Sequence, residues 1–135
     1  MRIAVDAAGG EYAPHEIVKG ALKAAHEYKV AITLVGNKAL LHVLAGKYLK
    51  KFNLTIIGAS QTIGFHEHPM EAVRSKPHSS IVVGINLIRD GKADAFVSAG
   101  NTGAILCAAL LNLGKIDGIE RPALGSIVTL NRFAP

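Results

Sequence analysis

A chain of 135 residues is long enough for one α/β domain with a core of its own and too short for two ordinary domains. Half of its residues are hydrophobic and few are aromatic, which excludes a disordered or low-complexity chain. The formal net charge of +5 favours phosphates, anionic lipid or an acidic protein as partners; no RNA-binding signature accompanies the scattered basic residues, so nucleic acid is not expected.

The N-terminus, Met-Arg-Ile-Ala-Val-Asp, lacks the long apolar stretch of a signal peptide. Arg2 to Val5 reads as a strand that ends in the turn Asp6-Ala7-Ala8-Gly9-Gly10. Pro14 opens a helical pattern whose apolar face carries Ile17, Val18, Ala21, Leu22, Ala25 and Tyr28. Ala31 to Val35 is the second predicted strand. Asn37 caps a helix through Ala45, and Gly46 stops it. Lys47, Lys50 and Lys51 then cluster and read as a solvated face.

Leu54 to Ile57 is the third strand. An irregular stretch from Ser60 to Pro77 holds one short helix around Glu71 to Arg74. Ser79 or Ser80 caps a helix ending at Gly91, and Ala95 to Val97 forms a fourth strand. After the turn Ser98-Ala99-Gly100-Asn101-Thr102-Gly103, the segment Ala104 to Leu113 is apolar on almost every side. It is expected to be a buried helix, capped by Asn101 or Thr102 and ended by Gly114. Its longest apolar run is far too short to cross a bilayer. Ser126 to Leu130 reads as a fifth strand. Strands alternate with helices and are continuous apolar runs. The fold expected is therefore α/β, a mostly parallel sheet with helices on both faces in a Rossmann-like three-layer sandwich.

In such a sheet, ligands bind beyond the carboxyl ends of the strands. Two glycine-rich turns lie there, Asp6 to Glu11 and Ser98 to Gly103. The second leads into a helix N-terminus, where unpaired N–H groups and a partial positive charge suit an anion; the plainer alternative is an ordinary strand-to-helix turn. Asp6 either orients a ligand or caps its own turn. Gly9-Gly10 is not a dinucleotide fingerprint and no P-loop is present, so no nicotinamide cofactor is expected. His66-Glu67-His68 lacks metal-ligand spacing, so no metal is expected either. The lone Cys107 forms no internal disulfide, which suits a reducing cytoplasm, and inside an apolar helix it reads as a small buried hydrophobe rather than a nucleophile. No serine nucleophile elbow is present.

Several ordered blocks resemble the PlsX phosphate acyltransferases. The opening Arg2-Ile3-Ala4-Val5-Asp6-Ala7-Ala8-Gly9-Gly10-Glu11 is similar to that family's opening, with Ala8 in place of its usual Met and Glu11 in place of its usual Asp. Ala13-Pro14, Ile17 to Ala21, Ile32 to Gly36 and Glu67-His68-Pro69 continue the likeness. Ala93 to Ala104 carries it most strongly, and Ile119 to Leu124 follows. Beyond Val128 it fades.

The resemblance implies that residues 1–135 form one α/β domain, the N-terminal part of a longer acyltransferase fold. It implies transfer of a fatty acyl group from acyl carrier protein to inorganic phosphate, giving an acyl phosphate for phospholipid synthesis. Such an enzyme is cytoplasmic and homodimeric, with peripheral association at the membrane compatible with its product. On this reading Asn101 and Thr102 hold phosphate or the oxyanion, and Asp6 positions the cleft. Gly9, Gly10, Ser98, Gly100 and Gly103 supply the phosphate cradle, and Arg121 supplies positive charge. Arg74, Lys76, Ser79 and Ser80 are further candidates near a helix start. Two other readings stand beside it: a phosphate acetyl- or butyryltransferase using coenzyme A thioesters, and a truncated domain that binds carrier protein or phosphate without turnover.

Overall fold

The computed structural model describes residues 1–125. They form a four-stranded, all-parallel sheet with helices on both faces. In chain order the elements are β1 (Arg2–Asp6), α1 (His15–Tyr28), β2 (Ala31–Gly36), α2 (Lys38–Ala45), a 3₁₀ turn (Gly46–Tyr48), β3 (Leu54–Gly58), α3 (Pro69–Ser75), α4 (Ser80–Arg89), β4 (Ala95–Val97) and α5 (Thr102–Leu113). The strand order is β3-β2-β1-β4. β1 is therefore flanked by β2 and β4, in register Val5 to Leu34 on one side and Val5 to Val97 on the other. The order reverses at β1, and the turns after β1 and β4 come side by side at the carboxyl edge of the sheet.

The alternation of side chains along each strand sorts the core into two layers. On one face Ile32 and Leu34 of β2 pack against Val18, Ala21 and Ala25 of α1 and against Leu41 and Ala45 of α2. On the other, Ala4 and Val35 meet Leu87 and Ala93. Behind that layer Ile81, Val82 and Ile85 of α4 pack with Ala72 and Val73 of α3 and Ala104 and Ala108 of α5. Gly84 of α4 sits so close to the Phe96 ring that a side chain there would collide with it.

The caps follow the sequence closely. Asn37 accepts a hydrogen bond from Leu40 N, Ser79 from Val82 N and Asn101 from Ala104 N. Gly91 lies just past α4 with φ of +66°, the left-handed conformation that glycine adopts without a steric penalty.

The second helix ends at Ala45 with Gly46 as its cap, as expected; the φ of Gly46 is −55°, and the chain tightens into the 3₁₀ turn before leaving. Of the two expected caps of the last helix Asn101 is the one used, so the helix begins at Thr102. One expectation is corrected: that helix is not buried all round. Only Ala104 and Ala108 are, whereas Leu111 is 50% and Leu113 44% exposed, because it packs on α3 and α4 along one side alone. Cys107 is accordingly half-buried. The expected strand Ser126 to Leu130 lies outside the described residues. No helix among the described residues is long and apolar enough to cross a membrane.

Candidate active site

The site grows from one buried carboxylate. Asp6 ends β1 and is 1% exposed. Its Oδ1 accepts hydrogen bonds from Ala8 N and Gly9 N, both at 3.0 Å, closing the turn that follows β1. Its Oδ2 accepts from the Ser98 hydroxyl at 2.7 Å, and Ser98 Oγ in turn accepts from Gly100 N at 3.0 Å. Asp6 therefore closes its own turn and ties it to the turn after β4. Of the two readings offered for it, this arrangement is the capping of its own turn, extended to Ser98.

Close contact between the turns explains the glycines. A Cβ on Gly9 would lie 2.9 Å from Gly100 N and would collide with the Asp6 carboxylate. Gly10 has φ of +118°, a conformation strained for any side chain. A Cβ on Gly100 would come within 3.5 Å of the Gly9 Cα. Two backbones thus meet where the strands end, and the N-terminus of α5 opens beside them.

Asn101 is the second organising residue, and it is 6% exposed. Its Oδ1 caps α5, while its Nδ2 donates to the carbonyls of Gly64 at 3.1 Å, Phe65 at 3.3 Å and Glu67 at 3.1 Å. The amide is therefore engaged on both ends, and it clamps the 64–67 loop against the start of α5. Glu67 closes that loop from inside. Its Oε1 accepts from Gly64 N and from Lys76 Nζ, each at 2.6 Å, and Lys76 Nζ also donates to the Thr62 carbonyl at 2.9 Å. The Gly64 N–H first, and then the Lys76 ammonium, hold the Glu67 carboxyl below its ordinary range. Gly103 lets α5 approach α3, since a Cβ there would lie 2.6 Å from Pro69 Cγ.

What remains free is backbone. Among the described residues the N–H groups of Gly10, Thr102 and Gly103 have no hydrogen-bond partner, and the exposed Thr102 hydroxyl has none. These donors, at a helix N-terminus beside a glycine turn, suit an anion.

The structure thus brings together Asp6, Gly9, Gly10, Ser98, Gly100, Asn101, Thr102 and Gly103. Lys76 joins them only through Glu67 and the loop. Ser79 and Ser80 are buried at 0% and 1% exposure. Ser79 caps α4, and Ser80 N donates to the Gln61 carbonyl, so both belong to the interior. Arg74 is exposed on the last turn of α3, and Arg121 lies in the exposed stretch after α5; neither makes a hydrogen bond or ion pair among the described residues. Sequence reasoning gave no role to Gly64 or Glu67. The bracketing of Glu67 by Gly64 and His68-Pro69 is the signal that a tight loop stands there. Among the described residues no group of three His, Cys, Asp or Glu side chains is placed to hold a metal ion.

Comparison with known proteins places this geometry. The family profile described as fatty acid synthesis protein matches residues 1–131. A phosphate acyltransferase of Dehalococcoides mccartyi is 58% identical over 135 residues, all of this chain and 39% of that protein. One of Thermoanaerobacterium thermosaccharolyticum is 50% identical over 133 residues, 97% of this chain and 39% of its own. One of Cyanothece sp. is 44% identical over 127 residues, 94% of this chain and 37% of its own. The chain spans about two fifths of the length of these relatives. With the match running almost from end to end, the chain belongs to the fatty acid synthesis protein family, the PlsX-type phosphate acyltransferases.

Proposed function

We propose that these residues form the phosphate-binding half of an acyltransferase that moves a fatty acyl group from acyl carrier protein to inorganic phosphate. The observation that carries the reading is the unpaired N–H set of Gly10, Thr102 and Gly103 among the described residues, beside two turns that meet through Gly9 and Gly100 and are tied by the Asp6–Ser98 hydrogen bond. Phosphate is itself a competent nucleophile, so no covalent enzyme intermediate is needed. A phosphate oxygen adds to the thioester carbonyl, a tetrahedral oxyanion forms, and the carrier's thiolate leaves with the electron pair of the C–S bond. The residues at hand hold the phosphate and face the developing charge. Thr102 touches the ligand. Asp6, Ser98, Asn101, Glu67 and Lys76 are positioning residues that set the backbone donors.

The test incubates the chain with phosphate and acyl carrier protein thioester, and separately with an acyl coenzyme A. Acyl phosphate and free thiol are assayed together. Phosphate-dependent release of both products from the carrier thioester is expected. Release from the coenzyme A thioester alone would move the reading to an acetyl- or butyryltransferase-like enzyme. Saturable phosphate binding without release fits a domain that binds but does not turn over.

A further inference from the structure

A second concavity lies at the carboxyl edge of the sheet, next to the free N–H donors. It is a cavity of about 170 Å³ where β1 and β2 end. Ala7 and Ala8, which follow β1, form one side of it, Ala13 and Pro14 at the entry to α1 a second, and Leu40 and Leu41 of α2 a third. Ala7 and Leu41 are each 1% exposed and make its floor, while Leu40 is 38% exposed at its mouth. Among the described residues Asn37 is the one polar side chain in the lining, and it is engaged in capping α2, its Oδ1 accepting from Leu40 N at 3.1 Å.

Hydrogen bonds tie this cavity to the candidate site. Ala8 N donates to Asp6 Oδ1 at 3.0 Å, and Ala13 N donates to the Gly10 carbonyl at 3.3 Å. Gly10 is thus bonded to the cavity wall through its carbonyl, while its N–H is one of the free donors. Ala8 lies two residues from Gly10, a backbone span of at most about 7 Å. A ligand whose anionic head sits on Gly10 and Thr102 therefore meets apolar surface a few bonds from that head.

Size and lining select the occupant. An apolar cavity of about 150 Å³ takes up a molecule the size of benzene, so the space here holds about six carbon atoms. A helix of another protein, about 10 Å across, is too wide for it. No cation in the lining selects a second anion. A hydrocarbon-lined space beside an anion site fits an alkyl chain joined to that anion.

We propose that this cavity receives the first carbons of the acyl chain once the chain is on phosphate, and that Ala8 and Leu40 set which chains are accepted. The inference rests on the phosphate site proposed above and adds to it the residues that select the acyl group. Carbons beyond about the sixth lie outside the cavity, so the cavity discriminates among short chains and not among long ones.

The test titrates the chain with inorganic phosphate and with methyl-, butyl-, hexyl- and decylphosphonate, stable stand-ins for an acyl phosphate, and follows backbone amide and methyl resonances. Affinity is expected to rise at least tenfold from methyl- to hexylphosphonate, by about two- to fourfold for each methylene that is buried, and to level off at decylphosphonate. Leu40 and Leu41 signals are expected to move with hexylphosphonate and not with phosphate. Ala8→Met fills the space and Leu40→Gln puts an amide at its mouth. Each should remove most of the gain, read as the ratio of hexylphosphonate to phosphate affinity. Val43→Gln, on the exposed face of α2, should keep it. Equal affinity for all four phosphonates overturns the cavity and leaves the phosphate site in place. So does a gain that persists in both Ala8→Met and Leu40→Gln, or one whose shifts fall on Ile3, Ile17 and Val97 instead. Binding of hexylphosphonate without binding of phosphate, lost in both variants, keeps the cavity and sinks the phosphate site. Binding of none of the five ligands overturns both.

Discussion

At Asp6 one carboxylate satisfies two backbone N–H groups and a hydroxyl inside the fold. Asp6→Ala takes the acceptor from all three, of which the Gly9 N–H is fully buried, and is expected to lower stability by about 2–4 kcal/mol in urea unfolding. Asp6→Asn separates geometry from charge. Its amide oxygen still accepts from Ala8 and Gly9, while its NH₂ turns toward Ser98 Oγ, which must rotate to accept. A loss of about 1 kcal/mol is expected, with phosphate affinity falling further than stability does. Negligible stability losses in both variants would show that the carboxylate is not the hub. Cys107 is the contrasting residue. It is half-buried on α5 and packed against one core cluster. A serine hydroxyl there can bond the carbonyl one turn earlier, so Cys107→Ser is expected to cost about 1 kcal/mol and to leave any acyl transfer intact. A stable Cys107→Ser protein without transfer, or an acyl adduct on Cys107 found by mass spectrometry, would assign it a chemical role.

The start of α5 shows how one side chain joins an element to a distant loop. Asn101→Ala removes the cap and the three bonds to the 64–67 loop, and about 1–3 kcal/mol of destabilisation is expected. Asn101→Asp keeps the cap acceptor but turns an oxygen toward three carbonyls. The helix should hold while the loop is released, which backbone amide shifts of residues 64–67 would report. A native loop in Asn101→Asp would mean that Glu67 and Lys76 suffice to hold it. Glu67 adds a pH dependence. Its carboxyl titrates lower in the fold than in the unfolded chain, so its contribution is complete above the ordinary Glu range and is lost as pH falls through the lowered value. Loop resonances are expected to shift on acidification in the wild type and to stay still in Glu67→Gln. The caps at Asn37, Ser79 and Asn101 and the apolar runs of β1 to β4 were legible in the sequence because local chemistry decides them. The clamp was not, because Asn101 bonds carbonyls 34 to 37 residues away and a carbonyl has no sequence signature. For the same reason Lys76 reads as a free cation until the fold hands it Glu67 and the Thr62 carbonyl.

At the scale of the molecule, the misread exposure of α5 and the edge that β4 leaves unpaired among the described residues have one cause. An apolar run tells that a segment will be covered and does not tell by what. β4 pairs with β1 on one side only among the described residues, and Val97 is 54% exposed. Beside it an apolar groove of about 650 Å³ runs between α1 and the sheet, with Ile3, Val5 and Ile17 in its wall. Leu111, Leu113, Ile116, Ile119 and Leu124 add exposed apolar surface along and beyond α5. A parallel edge unpaired among the described residues, next to apolar surface of this extent, favours association, because backbone donors and apolar area both gain by being covered. The 135-residue chain is therefore expected to self-associate, with a weight-average mass in sedimentation that rises with concentration. Val97→Lys, which places a charge at the open edge in the way natural edge strands are guarded, should lower that mass without lowering the unfolding midpoint. Joining the chain to the remaining sequence of one of its longer relatives should replace open-ended association by a single defined species. A concentration-independent monomer for the 135-residue chain would mean that the groove and the β4 edge are already closed within it, and that the site at the ends of β1 and β4 needs no further wall.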